Sequence, residues 1–136
     1  MSDSFWILGL RLAGCFHFVT LTLACFTPIP PDWDKNLAML SPMHRRFALA
    51  QNVSIGVTIA VLGLFSIFFA TDLINGSTLS RAVCGATALF WGGRLCVLPW
   101  LKVQSALTSS LLKLGYVLLL TQCAVYAFAY SWLALG

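Results

Sequence analysis

Four stretches of almost purely apolar residues divide this chain, and shorter polar segments separate them. The stretches cover residues 5–26, 47–71, 82–101 and 114–135, and each has 20 residues or more. A helix needs about 20 residues to cross a hydrocarbon core of about 30 Å. The pattern predicts an all-α protein in which residues 1–136 form a single integral membrane domain, a bundle of four transmembrane helices with up-down topology.

The first connection is the longest and carries several turn signals. Prolines at positions 28, 30 and 31 are expected to end the first helix, because proline cannot continue one. Residues 34–40 have the composition of a short helix lying in the membrane interface between helices 1 and 2. Pro42 follows a serine, which is typical of an N-cap and a first helical position. The second helix is therefore predicted to begin near Pro42.

The later connections contain weaker signals. Asn75-Gly76 marks a break, and the next two residues, Ser77 and Thr78, are both candidate caps for the third helix. The polar segment 102–113 is predicted to start the fourth helix early.

Small and aromatic residues predict how the helices pack. Asn52, Gly56, Ala60 and Gly63 recur at helical spacing, which indicates a narrow face suited to close contact with another helix. Near the end of the last span, Tyr130 and Trp132 are typical of an aromatic belt at the membrane surface.

The composition supports a membrane location and excludes nucleic acid as a partner. Hydrophobic residues make up 60% of the chain and charged residues only 9%, whereas soluble domains carry about 25% charged residues. The net charge is +4, but the basic residues are scattered at span ends and do not cluster on one face. This distribution favours lipid phosphates. We expect membrane lipids as partners, anionic ones among them, with either a larger membrane protein or further copies of the chain.

The basic residues also predict an orientation. Five of the eight Lys and Arg lie in the first and third connections: Lys35, Arg45, Arg46, Lys102 and Lys113. The opposite side has only Arg81, with Arg11 within reach of it. By the positive-inside rule the two richer connections are cytoplasmic, and both termini lie outside.

Arg94 is the one charge deep in the third span, and it defines the candidate site. A charge at that depth costs several kcal/mol, and all four acidic residues are aspartates outside the spans. Three alternatives remain open: the side chain snorkels to the cytoplasmic headgroups, bonds to Gln51, Asn52, Gln122 and backbone carbonyls, or binds an external anion such as a lipid phosphate or a partner's carboxylate. The candidate anion site comprises Arg94, Trp91, Gln51, Asn52, Arg45 and Arg46, and two further polar residues, His17 and Gln122, lie near the midplane.

The sequence predicts no catalytic residues, no metal and no cofactor. His17 would need a second histidine at similar depth to hold haem, and His44 lies in the headgroup region. None of the five cysteines forms a CxxC pair, so neither a metal nor a thiol redox motif is indicated.

Three segments resemble a group of short bacterial membrane proteins with four predicted helices. They are SPMHRRF at 41–47, GSTLSR at 76–81 and FWGGRL at 90–95, which together cover under half the chain. The resemblance implies a four-helix protein of the bacterial inner membrane and carries no activity. The chain departs from the group after residue 95, where Pro99-Trp100 replaces a run of aromatics ending in aspartate.

Two hypotheses about function follow. The first, which is favoured, is a non-enzymatic interaction or lipid-binding module, or an accessory subunit. The alternative is a small membrane enzyme or carrier for an anionic lipid or isoprenoid phosphate at Arg94. A polar cavity opening beside Arg94 would favour the alternative, and a dry bundle would favour the first.

Overall fold

The computed structural model describes residues 3–26 and 32–136, most of which are helical. The helices are α1 (Asp3–Phe26), α2 (Trp33–Met39), α3 (Pro42–Phe68), α4 (Ala70–Leu73), α5 (Thr78–Trp100) and α6 (Ser110–Leu135), with a 3-10 helix at Val103–Ala106. Helices α1, α3, α5 and α6 are long and apolar enough to cross a membrane. The predicted four-helix bundle is confirmed, as is the short helix between the first two spans, which is α2. The prolines at positions 28, 30 and 31 lie outside the described residues.

Three of the long helices begin four or five residues before the apolar stretches that predicted them. Each starts directly after a serine that caps it. The side-chain oxygens of Ser41, Ser77 and Ser109 accept the backbone N–H three residues on, at 3.5, 3.1 and 3.2 Å. Such caps satisfy N–H groups that the helix itself leaves free. The predicted start at Pro42 is confirmed, and of the two candidate caps before α5 the structure uses Ser77.

The second span ends earlier than predicted, because the chain changes direction at Phe69. Helix α3 stops at Phe68, and the single-turn helix α4 carries the buried residues Ala70 and Leu73. The predicted break at Asn75-Gly76 follows. Gly76 adopts a φ of +70°, a conformation that glycine tolerates without steric cost. The segment after α5 turns at Lys102 and forms the 3-10 helix before α6 begins at Ser110.

The long helices associate as two close pairs, α1 with α3 and α5 with α6. Small residues line both contacts. A methyl group at Gly63 would lie 2.9 Å from His17 Cβ and 3.2 Å from the Gly14 carbonyl oxygen, so the α1 and α3 backbones nearly touch there. In the second pair, methyl groups at Gly85 and Gly92 would lie 3.9 and 3.8 Å from the β-carbons of Ala134 and Ala127.

Burial is uneven along the bundle axis. We call the end where α1 begins and α6 ends the terminal end, and the opposite end the loop end. Most of the buried side chains lie toward the terminal end. Toward the loop end, residues 22–26 of α1 are exposed, and residues 42–55 of α3 are exposed except for half-buried Ala48. Leu107 and Tyr116 are the buried exceptions there. The helices are therefore tightly packed at one end and less covered at the other.

Candidate functional site

The centre of the bundle is built around His17, which is completely buried. Its Nδ1 donates to the carbonyl oxygen of Ala13 at 2.7 Å, and its Nε2 accepts from the indole N–H of Trp91 at 3.2 Å. A carbonyl can only accept and an indole N–H can only donate. These partners therefore fix the imidazole as the neutral tautomer with its proton on Nδ1. Both ring nitrogens are engaged within the protein.

Trp91 and Tyr126 pack against His17, and Tyr130 packs against Tyr126. Together we call these four residues the aromatic layer: His17, Trp91, Tyr126 and Tyr130. The Tyr126 ring stacks on His17 with centroids 4.7 Å apart, and its hydroxyl donates to the Ala13 carbonyl at 2.7 Å. Trp91 meets His17 edge-on at 5.2 Å. The Tyr130 hydroxyl shares a hydrogen bond with Ser66. The layer thus connects all four long helices.

Tyr130 is the residue whose predicted role is wrong. It was expected in an aromatic belt at the membrane surface, but it is only 1% exposed and packs in the core. Trp132, the other expected belt residue, is 60% exposed. The residues Tyr116, Leu119, Cys123, Tyr126 and Tyr130 recur at steps of three and four along α6. That spacing places Tyr130 on the inward face, and it is the signal in the sequence that could have found it.

Gln122 lies beside the aromatic layer and joins α6 to α1. Its Oε1 lies 2.7 Å from the hydroxyl of Thr20, and that hydroxyl also lies 2.9 Å from the Phe16 carbonyl. Because a threonine hydroxyl has one proton, it can donate to only one of these oxygens at a time. The amide nitrogen of Gln122 is buried and has no partner in the part of the chain that the structure describes.

Arg94 is half-buried on α5, one turn beyond the aromatic layer. Its guanidinium lies over the ring of Phe90, 5.9 Å from the centroid, a distance at which a cation is attracted to an aromatic face. Its Nε is buried and makes no hydrogen bond within residues 3–26 and 32–136. In this part of the chain, no hydrogen bond links Arg94 to Gln51, Asn52 or Gln122.

The other members of the candidate anion site do not gather around Arg94. Gln51 and Asn52 are exposed on α3. The helix register explains why these two residues do not reach Arg94. Trp91 of α5 lies level with His17 of α1, and Gly56 of α3 lies beside Leu21 of α1. At 1.5 Å per residue this places Gln51 about 9 Å closer to the loop end than Arg94.

The remaining site residues lie further apart still. Arg45 and Arg46 are exposed in the first turns of α3, at the loop end. Trp91 is 0% exposed, so it has no free ring face to offer a ligand. Of the residues selected from the sequence, the structure brings Trp91 and His17 together and leaves Arg94 with Phe90, which was not selected.

The fold and the site define a class of protein, a multi-pass four-helix membrane protein with an internally hydrogen-bonded aromatic centre. No family model, curated protein or solved structure gives a significant match to the chain.

Proposed function

We propose that this protein is a non-enzymatic interaction or lipid-binding module of the bacterial inner membrane, working with membrane lipids or as an accessory subunit of a larger membrane protein. One contrast between the polar groups supports this proposal. The central ones satisfy each other: both His17 nitrogens and the hydroxyls of Tyr126 and Tyr130 are engaged internally. A bundle centre of this kind leaves neither His17 nitrogen free to act as a base, whereas the Nε of Arg94 has no partner in the described residues and can take an external one.

The second candidate is a small membrane enzyme or carrier that acts on an anionic lipid or an isoprenoid phosphate. The unpartnered Nε of Arg94 favours it, because a guanidinium is suited to bind phosphate through several donors. Arg45 and Arg46 would then attract the anion at the loop end. Within the described residues no other polar side chain forms a hydrogen bond with Arg94, and this makes the candidate the weaker of the two.

The proposal is tested by the lipids and proteins that copurify with variants of Arg94. Arg94→Lys keeps the charge and loses the planar donor fork, whereas Arg94→Gln loses the charge. We expect both to reduce the copurifying anionic lipid or partner, measured by mass spectrometry, and Arg94→Gln to reduce it more. Arg81→Gln is the matched control, since Arg81 is exposed at the terminal end. Equal recovery of the same lipids and partners from parent, variants and control would contradict a binding role for Arg94.

A second proposal concerns orientation. The loop end carries Lys35, Arg45, Arg46, Lys102 and Lys113, and this excess favours a cytoplasmic loop end with both termini outside. A reporter that is active only outside the cytoplasm should therefore work when fused after Gly136. A fusion that is active only in the cytoplasm would reverse the orientation.

A further inference from the structure

The side chain of Arg94 turns toward the middle of its span and away from the nearer headgroups. Its guanidinium lies over the ring of Phe90, which is one turn earlier on α5, 5.9 Å from the ring centroid. Helix α5 runs from the terminal end to the loop end, so Phe90 lies farther from the loop end than Arg94 does. A snorkelling side chain would extend the other way, toward Lys102. The charge of Arg94 is therefore held at depth.

The depth of this charge makes a lipid phosphate a poor partner for it. Eight residues separate Arg94 from Lys102, the basic residue that follows the apolar stretch, and this distance is about 12 Å at the helical rise. Lipid phosphates lie outside the hydrocarbon core, and so near the level of Lys102 or beyond it. A phosphate would have to enter the apolar region to meet the guanidinium. A group carried on a transmembrane helix can lie at any depth.

The guanidinium has donors available for such a group. Nε of Arg94 is buried and has no partner in the described residues. The two Nη atoms form no hydrogen bond in this part of the chain either, but they are not buried, so a group from outside can reach them. A carboxylate can accept from two guanidinium nitrogens at once, which is among the strongest pairings between side chains.

This chain has no acidic side chain to offer Arg94. Its acidic residues are four aspartates at the ends of the bundle or in its connections: Asp3, Asp32, Asp34 and Asp72. A second copy in the same membrane would carry the same four at the same levels, so it cannot supply a carboxylate at this depth. Charged residues in transmembrane segments typically pair with one another, because an unpaired charge there is costly. The missing negative charge therefore has to come from a different protein.

We propose that Arg94 is the docking point for a transmembrane helix of another protein, and that this helix carries an aspartate or glutamate at the depth of Arg94. The carboxylate accepts hydrogen bonds from the Nη atoms, so the two charges neutralise each other within the hydrocarbon core. The inference rests on the proposed function as an accessory subunit, and it specifies the chemistry of the partner and the residue that binds it.

The side of α5 that carries Arg94 suits such a helix. Ala86, Phe90, Val97 and Leu101 recur with Arg94 at steps of three and four, so they share one side of α5. Val97 and Leu101 are 49% and 51% exposed, Ala86 is exposed, and Phe90 is half-buried. These neighbours are all apolar. The apolar residues of a partner helix can therefore pack along this side while its carboxylate meets the one charge on it.

The test uses the full chain in phosphatidylcholine vesicles, with a synthetic transmembrane helix of leucine and alanine as the probe. One version of the probe carries a single glutamate about one turn from its centre, where it can reach the depth of Arg94. The matched version carries glutamine at that position. Fluorescence energy transfer between a label on the protein and one on the probe measures association. We expect the glutamate probe to bind about tenfold or more tightly, as expected for hydrogen bonds to a charged group.

Variants of the protein show whether Arg94 is the docking point. Arg94→Gln should weaken binding of the glutamate probe about tenfold or more, and Arg94→Lys should weaken it less, because lysine keeps the charge and loses the planar fork. Arg11→Gln is the matched control, since Arg11 is the other arginine within a predicted span and is exposed on α1. It should leave the binding unchanged. Melting temperatures in neutral detergent check that each variant folds, and the two probes on the parent remain a test if one does not.

The contrary outcomes are distinct. If the parent binds both probes equally, or if Arg94→Gln binds the glutamate probe as tightly as the parent does, the docking point is wrong. The proposed function then still stands wherever lipids or partners copurify through Arg94. If replacing part of the phosphatidylcholine by phosphatidylglycerol removes the preference for the glutamate probe, a lipid headgroup reaches Arg94 and is the better occupant. If neither probe binds and neither lipid nor partner copurifies, the proposed function itself is wrong.

Discussion

Replacing Gly63 by alanine will lower the free energy of unfolding by about 1–3 kcal/mol, the usual cost of overpacking. The added methyl group would lie 2.9 Å from His17 Cβ and 3.1 Å from Cε2 of Phe18. His17 cannot move easily, because two hydrogen bonds hold its ring, and the Gly14 carbonyl oxygen is a third close neighbour at 3.2 Å. The α1 and α3 helices would have to separate.

Gly56→Ala is the matched control for this substitution on the same helix. Its added methyl group would meet only Leu21 Cδ2, at 3.8 Å, an ordinary van der Waals distance. We expect its stability to stay within about 0.5 kcal/mol of the parent, as for substitutions away from packed contacts. Reversible unfolding in mixed micelles, followed by circular dichroism, measures both. Equal losses for the two variants would show that the close contact at Gly63 does not determine stability.

The small-residue face shows how far the sequence predicts packing. The spacing of Asn52, Gly56, Ala60 and Gly63 correctly predicted a face directed at another helix, and Gly56 and Gly63 do lie against α1. The spacing could not predict which of the two glycines makes the closer contact. The tight contact occurs only at Gly63, where α3 crosses a second glycine, Gly14. Asn52 is exposed, because burial fades toward the loop end. Crossing points depend on helix register, which hydropathy does not encode.

The helices themselves were predictable because a membrane demands long apolar stretches. The ends of the helices were less predictable from hydropathy. The caps at Ser41, Ser77 and Ser109 lie in polar sequence, and a boundary drawn from hydropathy therefore falls a turn too late. The short turn α4 was missed for the opposite reason: Ala70 continues the apolar run of α3, and only the change of direction at Phe69 separates the two helices.

The centre of the bundle was the least predictable part. His17 and Trp91 are 74 residues apart, and nothing local in either segment indicates that they meet. His17 was noticed as a polar residue near the midplane, but its partners depend on how two helix pairs face each other. The sequence predicted more about the surroundings of Arg94. Because the spans contain no acidic residue, it predicted that the chain itself would offer no carboxylate at that depth.

Removing the indole N–H of Trp91 should be among the most damaging single changes in the core. Trp91→Phe leaves His17 Nε2 buried without a donor and opens a cavity between α5 and α1. Together these effects should cost about 2–4 kcal/mol. Trp100→Phe is the matched control: Trp100 is 78% exposed, and the change should cost no more than about 0.5 kcal/mol. The same micelle unfolding measurement applies.

A double-mutant cycle then isolates the hydrogen bond from the cavity. His17→Leu alone should also destabilise the bundle, because it leaves the indole N–H without an acceptor. The double variant with Trp91→Phe should lose less stability than the sum of the two single losses, by about 0.5–3 kcal/mol, the range found for residues in direct contact. The reason is that each single variant leaves one buried group unpaired, whereas the double variant leaves none of this pair. Strictly additive losses would mean that the His17–Trp91 hydrogen bond contributes nothing to stability, and that the aromatic layer holds the helices together by packing alone.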